Sequence, residues 1–197
     1  AIVRPRAARS VIASAVDRGL AFIRSQQRPD GSWYGSWGVC FTYGAWFGAR
    51  ALAVCGNRSR ADMEALARAA GFLLSTQRED GAWGESYESA VRRVYVQHAE
   101  ASAAQTAWAA MALMACFSVM AAPASSLDAV RRAVRYLVRS QGADGDWPRG
   151  PITGVYSRTV ATTYPLYRNT FPLWALAEWS VWSAAQRLPL HGDVAEL

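Results

Sequence analysis

Residues 22–33 read FIRSQQRPDGSW, residues 72–83 read FLLSTQREDGAW, and residues 136–147 read YLVRSQGADGDW. In each copy an aromatic residue is followed five positions later by Gln27, Gln77 or Gln141. Asp30, Asp80 and Asp144 come three residues after that, followed by Gly31, Gly81 and Gly145. Trp33, Trp83 and Trp147 stand two further on. The copies lie 50 and 64 residues apart, a spacing that suits a pair of helices with their loops. The chain is therefore read as a repeat protein of helical hairpins.

The local chemistry of the repeat is legible. An amphipathic helix ends near the Gln, and Asp-Gly makes the turn, because glycine adopts a positive φ that other residues resist. The Gln amide suits backbone groups left without partners at a helix end. The Trp ring is too large to leave bare and is expected to cover the joint between adjacent hairpins. Chemistry that recurs in every repeat belongs to architecture, so these Gln, Gly and Trp residues are assigned to structure and not to catalysis.

With 197 residues, 52% of them hydrophobic, the chain can bury one substantial core. All 21 basic residues are Arg, and the net charge of +6 is scattered along the sequence. No basic run is interleaved with aromatics, which argues against nucleic acid as a partner. Cys40, Cys55 and Cys116 sit singly in apolar stretches and read as reduced core thiols. Residues 1–9 carry charge with no apolar run behind them, so no signal peptide is read. A start at Ala1 and not Met reads as a fragment.

Periodicity places outer helices at 9–27, 60–77 and 128–141, and inner helices at 39–55, 101–120 and 164–185. Residues 31–49 and 101–127 lack charge, but they are Gly-, Ala-, Ser- and Thr-rich. They are assigned to the inner layer of a helical barrel and not to membrane spans. The fold class is all-α: an α/α barrel, or toroid of helical hairpins, with three hairpins of six present. Pro165 and Pro172 are expected near the start of the last inner helix, in its first turn or at a kink. No strand is expected. Residues 1–185 form one domain, and 186–197 read as a loose tail.

The segments that do not repeat are where function is expected. Residues 31–52 bring Trp37, Phe41, Tyr43, Trp46 and Phe47 to the mouth of an inner helix. Residues 152–179 bring Tyr156, Tyr164, Tyr167, Phe171 and Trp174. Aromatics gathered at one end of an inner layer can line a cavity for an apolar or cationic ligand, because ring faces stabilise positive charge.

Three strings carry a resemblance: DGSWYGSWGVCFTYGAWFGARAL from Asp30, FLLSTQREDGAWGESYES from Phe72, and QGADGDWPRGPITGVYSRTVATTYPLYRNTFPLWAL from Gln141. Over residues 8–182 the chain closely resembles the C-terminal portion of oxidosqualene cyclases, the lanosterol and cycloartenol synthases, relatives of squalene-hopene cyclases. The resemblance implies an isomerase of sterol biosynthesis that protonates 2,3-oxidosqualene and steers a carbocation cascade, with no cofactor and no metal. It also implies one-sided attachment to the endoplasmic reticulum membrane facing the cytosol, or to lipid droplets. By position Trp37 resembles a cavity Trp facing the cations, Tyr156 stands where these synthases usually carry Phe, and Thr162 and Tyr164 match cavity-lining positions. Tyr43 matches a Tyr near the acid's hydrogen-bond network.

The family's proton donor lies in an Asp-Cys-Thr-Ala-Glu string that is absent from these 197 residues. The resemblance therefore implies that the missing N-terminal part of the same enzyme is a partner and that this chain alone is inactive. Asp30, Asp80 and Asp144 read as turn residues, Asp128 as a helix start, Asp17, Asp62, Asp146 and Asp193 as surface or tail positions, and His98 as a loop histidine. Two other readings stand beside the cyclase. A prenyltransferase β-subunit would need a zinc site from Asp, Cys and His, and no Asp-x-Cys string is present. A non-catalytic α/α-barrel binding module would keep the scaffold without the reaction.

Overall fold

The computed structural model describes residues 5–56 and 58–186, and the expected tail at 187–197 lies outside the described residues. Three hairpins set outer helices against inner ones. The outer helices are α1 (Pro5–Ser25), α3 (Arg60–Ser75) and α6 (Ala124–Ser140); the inner helices are α2 (Cys40–Cys55), α5 (Ala103–Phe117) and α7 (Tyr167–Ala185). A short helix, α4 (Glu88–Arg92), lies between Trp83 and α5. The helices agree with the sequence reading to within a few residues. Two details differ: Pro165 precedes α7 and Pro172 lies inside it, beyond the first turn, where it removes a helical N–H.

The layering follows from composition. Helix α5 is apolar all round and is buried between α2 and α7 on its flanks and α3 and α6 behind. Helix α6 presents Ala129, Val130, Ala133, Val134 and Leu137 to that core while its arginines lie on the other side. Helix α3 begins at a capping box: Asp62 N–H donates to Ser59 Oγ, and Ser59 N–H donates back to Asp62 Oδ2, both at 3.2 Å. Asp62 is buried and also takes the Arg24 guanidinium of α1, which corrects its reading as a surface residue. Cys40 and Cys116 are buried as expected, but Cys55 is exposed. Among the described residues no helix is long and apolar enough to cross a membrane.

The repeat divides its labour. Gln27 Nε2 donates to Gly31 O in its own turn (3.0 Å) and to Ala65 O of the next outer helix (2.8 Å). Gln77 does the same with Gly81 O (2.8 Å) and Ala129 O (2.9 Å). Arg68 and Arg132, from those next helices, donate back to Oε1 of Gln27 and Gln77. Gly31 and Gly81 adopt φ of 91° and 86°, and a Cβ there would lie 2.2 Å from Arg68 O and 2.8 Å from the backbone of Arg132. Only glycine meets both demands.

The Trp indoles bond within their own repeats. Trp33, Trp83 and Trp147 each donate Nε1–H to a carbonyl ten residues back, that of Ile23, Leu73 and Leu137, at 2.7, 3.0 and 2.9 Å. The Trp33 ring also lies against Gly48 of α2, so it fastens its own outer helix to its own inner helix. Gln joins one hairpin to the next, whereas each Trp indole is tied back to its own outer helix.

Trp83→Ala is expected to cost ~3–5 kcal/mol in chemical denaturation through loss of a wholly buried ring. A second expectation concerns pH. Burial raises the Asp62 pKa, but hydrogen bonds from Ser59 and Arg24 outweigh it and hold the carboxyl below its ordinary value. Its stabilising contribution is then complete above the unfolded value of about 3.9 and is lost as pH falls through the folded value. Denaturant midpoints measured from about pH 6 down to about pH 3 should fall less in Asp62→Asn than in the parent chain.

Candidate aromatic site at the mouth of the inner helices

A feature absent from the sequence reading organises the site. Strands β1 (Gly154–Tyr156) and β2 (Val160–Thr162) form an antiparallel hairpin, pairing Gly154 with Thr162 and Tyr156 with Val160. Each strand has three residues, too few for an alternating pattern to show. The turn residues Ser157 and Arg158 adopt φ of 49° and 61° without the Asn-Gly signal that usually marks such a turn.

The hairpin extends onto the loop before α2. Gly154 bridges Gly38, Val155 N–H donates to Trp37 O (3.1 Å), and Val39 N–H donates to Thr153 O (2.9 Å). This pairing brings together two rings 119 positions apart in the chain. Trp37 and Tyr156 lie with centroids 5.0 Å apart and planes at 34°. Both remain open to solvent, at 55% and 49% exposure, although large apolar rings are normally covered.

Gly38 and Gly154 make room for the other site residues. A Cβ on Gly38 would lie 2.4 Å from the Tyr43 ring, and one on Gly154 would meet Tyr164 at 2.4 Å and Thr162 Cγ2 at 2.9 Å. Tyr43 stands edge-on to Phe47 (4.8 Å) and Trp108 (5.1 Å), while Tyr164 packs on Tyr167 at 4.6 Å. Trp108 also meets Tyr167 and Phe171, and Phe171 meets Trp46. The structure thus gathers Trp37, Tyr43, Tyr156, Thr162 and Tyr164 at one end of the inner layer. Trp108, in an Ala-rich run that reads as plain core, is the hub behind them. Burial, then the neighbouring Tyr167 and Tyr164, pushes the Tyr43 phenol up, so it stays neutral at ordinary pH.

Glu85 is the residue that sequence reasoning missed. It is wholly buried, two positions beyond Trp83 in a segment with no counterpart in the other repeats. Its carboxylate accepts from Phe41 N–H (3.0 and 3.1 Å), Thr42 N–H (2.9 Å) and Thr42 Oγ1 (2.9 Å), capping the N-terminus of α2. Gln105 grips its backbone from α5, accepting from Glu85 N–H (2.6 Å) and donating to Glu85 O (3.0 Å). Burial pushes the Glu85 carboxyl up, against the hydrogen bonds from Phe41 and Thr42. A charged residue in the non-repeating stretch after the Trp was the available signal.

Other expected roles are local. His98 lies in a loop, its Nδ1 accepting from Glu100 N–H at 2.9 Å. Asp30, Asp80 and Asp144 accept backbone N–H groups two residues on, as turn residues do. Asp128 lies within α6 and pairs with Arg132, away from the helix start. Asp146 holds the last turn onto α7 by accepting from Arg168 and from Asn169 (2.8 Å), which makes it a structural joint and not a plain surface residue. Among the described residues no three His, Cys, Asp or Glu side chains cluster as a metal site would require.

Comparison with known proteins completes the description of the site. The family described as squalene-hopene cyclase C-terminal domain matches residues 6–181. The chain is 44% identical over 171 residues to the lanosterol synthase of Homo sapiens and 42% identical over 166 residues to the cycloartenol synthase of Dictyostelium discoideum. These matches take in 86% and 84% of this chain but 22% of each relative, so the chain spans about a fifth of their length. Its fold is similar to that of an ent-copalyl diphosphate synthase from Streptomyces platensis, with a TM-score of 0.58 at 22% identity over 85% of this chain and 29% of that one.

Removal of the α2 cap is the test of this geometry. Glu85→Ala is expected to cost about 1–3 kcal/mol in chemical denaturation by leaving buried N–H groups without an acceptor. Glu85→Gln, which keeps one acceptor oxygen, should cost less.

Proposed function

The chain belongs to the squalene-hopene cyclase C-terminal domain family, and on that premise we propose that it forms the cation-stabilising part of an oxidosqualene cyclase. The observation that carries the reading is the Trp37–Tyr156 pair, two rings held 5.0 Å apart and half open to solvent. Ring faces attract positive charge and neither accept nor lose protons, which suits a cascade of carbocations. The substrate class is a small apolar lipid, 2,3-oxidosqualene in the first instance, and the product a sterol precursor.

The proposal gives each site residue a role. Trp37 and Tyr156 face developing cations, Thr162 and Tyr164 shape the wall beside them, and Tyr43 joins the hydrogen-bond network that serves the proton donor. That donor must come from outside these residues. Glu85, the wholly buried carboxyl, is committed to capping α2; Asp62 is held by Ser59 and Arg24; and Asp30, Asp80 and Asp144 are turn residues. The proposal assigns it to an upstream part of the enzyme, since this chain spans 22% of each relative. Attachment to one face of the endoplasmic reticulum membrane, toward the cytosol, belongs to the same proposal and would admit so apolar a substrate. The binding-module reading loses ground, because the relatives are named as synthases.

The test replaces the matched segment of the Homo sapiens lanosterol synthase with this chain and assays 2,3-oxidosqualene, profiling products by mass spectrometry. The chimera is expected to cyclise. Trp37→Leu keeps apolar bulk but removes a ring face worth ~2 kcal/mol when desolvated, so it should release incompletely cyclised products and slow turnover. Tyr156→Phe should be mild, and Tyr156→Leu should change the product mixture. An active chimera whose products are unchanged by Trp37→Leu would return that ring to a structural role.

A further inference from the structure

Beyond the repeat Trp the sequence no longer repeats, but the count still does. Glu85 follows Trp83 by two positions, and Arg149 follows Trp147 by two. Each comes to the start of the preceding inner helix. Glu85 caps α2, while Arg149 lines a cavity together with Ser102, Ala103 and Ala104 at the start of α5. A carboxylate suits such a place, because a helix N-terminus presents unpaired N–H groups and a partial positive charge. A guanidinium does not.

The start of α5 therefore keeps donors that α2 has satisfied. Ser102 accepts from Gln105 N–H through Oγ (3.3 Å) and from Thr106 N–H through its carbonyl (2.8 Å). The N–H groups of Ala103 and Ala104 are buried and find no acceptor among the described residues. Thr153 lines the same cavity and is 6% exposed, and its Oγ1 is buried without a hydrogen-bond partner. A buried hydroxyl in that condition carries a desolvation cost that a ligand would relieve.

The charge around the cavity has one sign. It measures about 290 Å³, and no Asp or Glu lines it. Arg168 lines it too but is already paired with Asp146, at 2.5 Å. Arg149 is exposed and makes no ion pair among the described residues. Every unanswered donor comes from α5 or from the loop between Trp147 and β1, so the chain supplies the whole site.

We propose that this cavity binds a phosphate group, which does for α5 what the Glu85 carboxylate does for α2. Its oxygens accept from the Ala103 and Ala104 N–H groups and from Thr153 Oγ1, and Arg149 supplies the counter-charge. Donors from separate elements suit a tetrahedral group with three outward oxygens better than a planar carboxylate. The group is inorganic phosphate or the headgroup of an anionic phospholipid, which offer the same acceptors. The inference rests on these donors and is independent of the reaction proposed for the aromatic site.

The test is isothermal titration of the 197-residue chain with inorganic phosphate at constant ionic strength. One site per chain is expected, and Arg149→Gln should weaken it by about tenfold. Thr153→Val keeps the side-chain shape and should weaken it by about fivefold. Without phosphate that variant should be at least as thermally stable as the parent, since the hydroxyl has no partner to lose; a structural threonine would show the reverse. Arg139→Ala, which removes the same charge from the outer face of α6, should bind as the parent does. Sedimentation with phosphatidylcholine vesicles, with and without phosphatidic acid, separates the two sources. Retention on phosphatidic acid that Arg149→Gln abolishes identifies the headgroup, and phosphate binding without retention identifies the free anion. Absence of saturable binding in both arms overturns the proposal. So does parental affinity in both Arg149→Gln and Thr153→Val, or an equal loss in Arg139→Ala, which would mark diffuse attraction to a basic surface.

Discussion

The reach of one amide from a turn to the next helix is the constraint on which the rest depends. Gln27 and Gln77 each bind a carbonyl in their own turn and another in the following outer helix, and an arginine of that helix completes the exchange. The contact is close because glycine stands where a side chain would strike the neighbouring backbone. A helical carbonyl has a second lone pair, so Ala65 and Ala129 accept without surrendering their helical bonds. The outer layer is thereby registered one hairpin at a time, and in the first hairpin Trp33 ties the inner helix to the outer one.

Registration of the inner helices positions the aromatic site. Helix α5 carries Trp108 to the centre, where Tyr43 of α2 and Tyr167 and Phe171 of α7 close around it. Edge-on packing of this kind adds specificity to area burial, since rings prefer offset or perpendicular approach. The half-open pair Trp37 and Tyr156 stands beside this cluster, carried by the segments that bridge at Gly38 and Gly154. Glu85 contributes the other anchor. By saturating the first N–H groups of α2, its carboxylate fixes where the Trp37 loop must end, and the β-hairpin then docks on that loop.

The site is built from two kinds of backbone. Its supports are helices whose ends are capped and paired, whereas the groups presented to solvent ride on a loop and a three-residue strand. Gly38 and Gly154 are the compromise between these parts. They face each other across a bridge and let the Tyr43 and Tyr164 rings approach closer than any Cβ would permit. This division puts chemistry on short segments held by a stiff frame, a common arrangement when the same scaffold must host precise positioning.

Much of this was legible in the chain itself. Periodicity and the thrice-repeated string determined the helices, their alternation between layers and the Asp-Gly turns, because those depend on local patterns of apolar spacing and on glycine's conformational range. The resemblance in the non-repeating strings singled out Trp37, Tyr43, Tyr156, Thr162 and Tyr164. Only the tertiary structure decided that Gln reaches the next outer helix while the Trp indole bonds back to its own, since both readings satisfy the same spacing. It alone decided that Trp37 and Tyr156 form a pair, because a hairpin too short to show a pattern brings residues 119 positions apart together. It also revealed Glu85 as a buried cap and Asp62 as a buried ion-pair partner. A carboxylate carries no mark of burial in sequence; its role is set by whichever helix end the fold brings within reach.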